Sequence, residues 1–180
     1  MGVLERLPVR LALAILSGIG VGFSGDLPGS GWVRDYGWAG AIFAVGVLWP
    51  HLRRGNLLAT RAVGLVAISC VSYWAAIAAA LEVAPKLGLN DASEPNLAAF
   101  VLASLVGGAI VVVPAKWLVP LPTPAQYWVL ATVAALVGGV VMYLGLASDL
   151  GGDLLVFAAF ATWHALFCVA LHFGGRAGAR

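Results

Sequence analysis

Apolar residues run through this chain in long unbroken blocks, not in the short alternations of a soluble fold. Ala62 to Leu81 is 20 residues without a charge, between Arg61 and Glu82. Pro95 to Ala115 is 21, between Glu94 and Lys116, and Trp117 to Ser148 is longer still. A bilayer core about 30 Å thick takes about 20 such residues as helix. The pattern predicts six helical spans, at about 7–23, 36–52, 57–81, 96–113, 125–146 and 154–173. The expected fold is therefore all-α, a polytopic transmembrane bundle of six helices forming a single domain over residues 1–180. Turn-forming stretches separate the spans: GDLPGSG, LRRGN, APKLGLNDASEP, VPLPTP and SDLGGD.

Charge gives the blocks a direction. With the N-terminus in the cytoplasm, Arg6, Arg10, Arg53, Arg54, Arg61, Lys116, Arg176 and Arg180 fall inside. Only Arg34 and Lys86 fall outside. Seven of the eight acids fall outside, with Glu5 the exception. Lys/Arg bias in short loops sets orientation, so both termini are expected in the cytoplasm of a multi-pass bacterial inner-membrane protein. An odd number of spans would scramble this partition. The start of the chain also has the outline of a signal peptide, with Arg6 and Arg10 before an apolar run. A retained first helix is expected instead, because the charge partition depends on it. Arg6 occupies the place where a myristoylation signal needs Ser or Thr.

Composition agrees with this class. Apolar residues make up 62% of the 180 and charged residues 10%, against about 45–50% and about 25% in soluble domains. No basic patch suggests nucleic acid. Aromatic residues gather at the expected interfaces: Trp32, Tyr36 and Trp38 outside, and Trp49, Trp117, Tyr127 and Trp128 inside. Small residues four apart occur on three spans, as Gly18/Gly22, Ala103/Gly107, Ser104/Gly108, Ala134/Gly138 and Ala135/Gly139. Such spacing lets helices approach closely in lipid. Its recurrence points to packing within one bundle rather than to a dedicated dimer face. A short ungapped similarity, LGLNDASEPNLAAF against LGLASDLGGDLLVF, hints at duplicated hairpins.

The candidate chemistry lies in the few polar groups inside the spans. His164 falls near the middle of the last one, where an imidazole needs a hydrogen-bond partner. Ser69, Ser72 and Tyr73 on the third span, Ser104 on the fourth and Thr132 on the fifth lie at similar depth. These six residues are the ligand-binding or pore-lining candidates. The bland alternatives are a structural bond between helices for His164, and hydroxyls bonded to their own helix carbonyls for the serines. His164, Cys168 and His172 also form a stripe at intervals of four that is competent, though unspecific, for a metal or haem, with His51 as a distant addition. No metal or other cofactor is expected from so loose a pattern. Nor is there a Walker loop, a Gly-x-Ser-x-Gly elbow, an HExxH or a CxxC, so no catalytic constellation is legible.

The expectation is a small-solute permease, channel or substrate-binding transport subunit with a mid-membrane polar pocket. Its partners would be the lipid bilayer, a small-molecule ligand and a homo-oligomer or larger membrane complex. The alternatives are a non-catalytic membrane scaffold, and a haem-, metal- or quinone-binding redox protein.

Overall fold

The computed structural model describes residues 6–24, 27–29, 31, 37–51, 59–89, 96–118, 124–147 and 152–176. Side chains are described over 6–24, 27–29, 31, 37–50, 63–89, 96–111, 128–145, 154 and 156–173. Within these residues the chain forms six helices and no strand. Helix α1 is Leu7–Gly22. Helix α2 begins as Trp38–Phe43 and continues through a π turn, Ala44–Leu48, into a 3₁₀ turn, Trp49–His51. Helix α3 runs as Ala59–Ala78, a second π turn at Ala79–Val83, and Ala84–Lys86. Helices α4, α5 and α6 are Leu97–Leu118, Pro124–Ala147 and Gly152–Arg176.

Local chemistry explains the ends. Pro8 stands in the first turn of α1 and Pro124 opens α5, where a missing N–H costs nothing. Asn96 caps α4, its Oδ1 accepting from the Ala98 N–H at 2.9 Å. Helix α3 ends in a Schellman turn. Leu89 N–H donates to the Ala84 carbonyl at 2.9 Å and Gly88 N–H to the Pro85 carbonyl at 3.0 Å. Gly88 takes the left-handed conformation this turn requires, with φ +68°.

Both π turns precede a proline by the same interval. A proline has no N–H, and its ring crowds the carbonyl four residues back. Widening the helix just ahead of it relieves the conflict. Trp49 N–H then donates to the Ala44 carbonyl ahead of Pro50, and Ala84 N–H to the Ala79 carbonyl ahead of Pro85. This is why α3 continues to Lys86, five residues past its expected end at 81. Pro114 also lies inside α4, which continues past its expected end at 113 to Leu118.

Each helix packs on the next in sequence, from α1 to α6, and α6 packs back on α1. Missing side chains make several of these approaches possible. A Cβ on Gly18 would collide with the backbone of Phe160 and Ala161 on α6, and one on Gly22 with the Phe157 ring. A Cβ on Gly40 would meet the backbone of Cys70 on α3. Gly107 lies against Ala76 and Ser72 of α3, and Gly139 against Val101 and the Phe100 carbonyl of α4. The small-residue pairs therefore close contacts within one chain.

The exterior is apolar and part of the interior is polar. Leu16, Val45, Leu81, Val129 and Leu154 stand out from α1, α2, α3, α5 and α6, with Leu154 74% exposed. Ser17, Ser69, Ser72, Ser104, His164 and His172 are buried. In water such an exterior would drive aggregation, whereas in hydrocarbon it is the stable arrangement. Three stretches are long and apolar enough to cross a membrane: Val63–Lys86, Trp128–Gly145 and Val156–Phe173. Leu7–Gly22, Trp38–Leu48 and Leu97–Val111 are shorter apolar segments.

Candidate functional site

His164 is completely buried and held from both ring nitrogens. Its Nδ1 is 2.8 Å from Ser17 Oγ on α1, and its Nε2 is 2.8 Å from the Tyr73 hydroxyl on α3. The direction of the bonds follows from proton counting. Ser17 has one hydroxyl proton and donates it to the Ala14 carbonyl at 2.8 Å. Ser17 Oγ must therefore accept from His164 Nδ1–H. That leaves Nε2 as an acceptor, so Tyr73 O–H donates to it. Donation runs one way, from Tyr73 through His164 and Ser17 to the Ala14 carbonyl, joining α3, α6 and α1.

Aromatic rings seal this chain. Phe43 of α2 meets His164 edge-on at 4.8 Å between centroids and stacks with Trp163 at 5.4 Å. Tyr73 packs edge-on to Trp163 at 5.7 Å, and Phe167 to Trp163 at 5.0 Å. Helix α2 comes close because Gly46 lacks a Cβ, which would strike Ser17 Cβ and Oγ.

The other expected residues have separate fates. Ser69 donates to the Leu65 carbonyl of its own helix at 2.8 Å. Ser72 reaches across to α4 and donates to the Gly107 carbonyl at 2.7 Å. Thr132 is exposed, in a shallow cleft of α5 against Leu105 and Gly108 of α4. Cys168 is fully buried. His172 lies near the other end of α6, where its Nδ1 is 3.3 Å from an Arg10 guanidinium nitrogen. No group of three or more His, Cys, Asp or Glu fit to hold a metal occurs among the described residues. The side chains of His51, Trp117 and Tyr127, and residues Trp32 and Tyr36 altogether, lie outside the described residues.

Next to Tyr73 is a cavity of about 180 Å³. Helix α3 contributes Tyr73, Ala76, Ile77 and Ala80, and α4 contributes Phe100, Ala103 and Ser104. Met142 of α5 and Phe160 and Trp163 of α6 complete the wall. Two of these residues carry buried polar atoms with no hydrogen-bond partner, Ser104 Oγ and Trp163 Nε1. Buried donors are almost always satisfied in native structures, so these two are exceptions, and both are covered by protein rather than open to the cavity, Nε1 lying against Gly138 of α5. A larger groove of about 480 Å³ runs between α2 and α3, past Val45, Trp49, Val66 and Cys70. Its wall is apolar. The Cys70 thiol, its one polar group of note, is turned to the Gly37 carbonyl at 3.3 Å.

Sequence reasoning singled out His164, Tyr73 and Ser104 but missed Ser17 and Trp163 Nε1. Ser17 stands beside Gly18 and Gly22, and that small-residue face was the available signal. No family model, curated protein or solved structure matches this chain.

Proposed function

We propose that this chain is a six-span inner-membrane protein with both termini in the cytoplasm, and that it binds a small solute as a permease or substrate-binding transport subunit. The three shorter apolar helices complete the six crossings, each packed between two neighbours in the cyclic order. Binding is favoured over a channel because the aromatic packing around His164 leaves the polar centre fully buried. The observation that carries the reading is the cavity of about 180 Å³ that α3, α4, α5 and α6 wall beside Tyr73. In this reading His164 fixes the position of Tyr73, which forms part of the cavity wall.

A second reading has its own support. The bonds from Ser17 through His164 to Tyr73 are complete without a ligand. A membrane scaffold would use them simply to fix three helices. One comparison separates the two. The wild-type chain and Ala103→Phe, which fills the cavity, are purified in mild detergent, extracted with solvent and compared by mass spectrometry. The binding reading expects a low-mass compound in the wild-type extract that the folded variant lacks. Identical extracts from two folded proteins would leave the scaffold reading. Reporter fusions at the two ends test the six crossings: ends on opposite sides overturn them.

A further inference from the structure

We infer that the groove between α2 and α3 is a docking site for one anionic phospholipid of the bilayer. The lipid's acyl region lies in the groove and its phosphate at the arginine-bearing connection between the two helices. The inference goes beyond solute binding and holds for a permease and a scaffold alike. It requires only that these helices lie in lipid.

The groove is open sideways, toward hydrocarbon. Gly40 lets α2 meet the α3 backbone at Cys70, and from there the groove runs toward Trp49 and Val63. Ala44 and Cys70 form a buried floor, 3% and 6% exposed. Val45, Trp49, Val63 and Ala67 stand out around it, Val45 at 61% and Val63 at 68%. A buried floor beneath an exposed rim is a concavity that the surrounding medium enters directly. From Val63 to Cys70 the helix rises about 10 Å, which fits within one leaflet, half of the roughly 30 Å core. The volume of about 480 Å³ is about three times that of a cavity that takes a benzene ring. The lining residues carry no charge, so methylenes belong there and a headgroup does not.

Charge names the lipid. Arg53 and Arg54 follow the 3₁₀ turn Trp49–His51, and Arg61 precedes Val63 in α3. Residues 52–61 hold these three cations and no acid. The groove therefore ends at a connection whose positive charge is unbalanced within that connection. An anionic phosphate there gains about fivefold in affinity for each arginine near the membrane surface. Trp49 stands at the same end, and its amphipathic ring favours headgroup level. A second copy of the chain is a poor occupant of this face. Paired about a two-fold axis, the face would set the same cations against one another.

The test uses the full chain in mild detergent, with bound lipid counted by native mass spectrometry. Dioleoylphosphatidylglycerol is the anionic probe and dioleoylphosphatidylcholine, with the same chains, the zwitterionic one. The expected result is one tightly held phosphatidylglycerol per chain, with phosphatidylcholine about tenfold weaker or more. Ala67→Trp fills the groove from an exposed position and should remove the tight site, with helical circular dichroism retained. Should that variant prove unfolded, Val63→Trp closes the same rim. Arg53→Gln combined with Arg54→Gln leaves the groove intact and should bring phosphatidylglycerol to within a few-fold of phosphatidylcholine. Equal affinities for the two lipids in the wild type overturn the inference. So does undiminished phosphatidylglycerol binding by the folded groove-filled variant. A wild-type dimer that Ala67→Trp splits into monomers assigns the groove to a second copy and overturns the inference too. None of these outcomes touches the extract comparison with Ala103→Phe, which tests solute binding in the other cavity.

Discussion

Tyr73 and His164, 91 positions apart in sequence, meet through a 2.8 Å hydrogen bond at a point where both side chains are buried. The bond joins α3 to α6, which are not neighbours in the cyclic order, so it reaches across the interior. Tyr73→Phe removes the donor and leaves His164 Nε2 an unpaired buried acceptor. The expected cost is about 1–2 kcal/mol, above the average of about 0.6 kcal/mol for a hydrogen bond between membrane helices. In a His164→Leu background the same change should cost almost nothing. Equilibrium unfolding of the four proteins in mixed micelles measures the coupling. Equal costs in both backgrounds would mean that the bond contributes nothing.

Gly18 and Gly20 are two residues apart on α1 and should respond oppositely to alanine. The Gly18 Cβ would enter the backbone of Phe160 and Ala161, which cannot rotate aside, so α1 and α6 must separate. A loss of about 1–3 kcal/mol or more is expected. At Gly20 the new methyl would sit 3.5 Å from Ile42 Cγ2, an ordinary contact. Stability there should hold or rise by up to about 1 kcal/mol, because alanine favours helix over glycine. Thermal unfolding in detergent compares the two.

Ser69 and Ser72 distinguish a bond within a helix from one between helices. Ser69 bonds to its own helix at the Leu65 carbonyl, whereas Ser72 ties α3 to the Gly107 carbonyl of α4. Ser69→Ala should fall within about 0.5 kcal/mol of wild type. Ser72→Ala should cost about 0.6 kcal/mol or more. Amide exchange around residue 107 should quicken only in the second. Matching exchange in the two variants would count against the interhelical bond.

Much of the architecture was legible because the bilayer imposes it. Uncharged runs of about 20 residues leave few alternatives to helix, and the six helices lie close to their expected positions. His164 and Tyr73 stood out because polar rings are conspicuous in apolar sequence. Ser17 did not. A serine in a leucine-rich helix usually satisfies itself, and nothing along the chain says that the last helix returns to the first. The π turns escaped for a related reason. Proline signals a break, and only the packed structure shows whether the helix stops, as the expected boundary at 81 had it, or widens and continues to Lys86.

The widened turn in α3 has a consequence for how this helix tolerates change in length. A π turn contains one residue more than the α turn it replaces. Removing a single residue from Ala79–Val83 can restore regular winding there, keeping Tyr73 on its inward bearing and the segment beyond Pro85 in place, at the cost of the crowding by the Pro85 ring that the wide turn relieves. The same deletion at Ile68 would turn every residue on one side of the cut by about 100°, carrying Tyr73 off the axis of the protein or Leu65 out of its core.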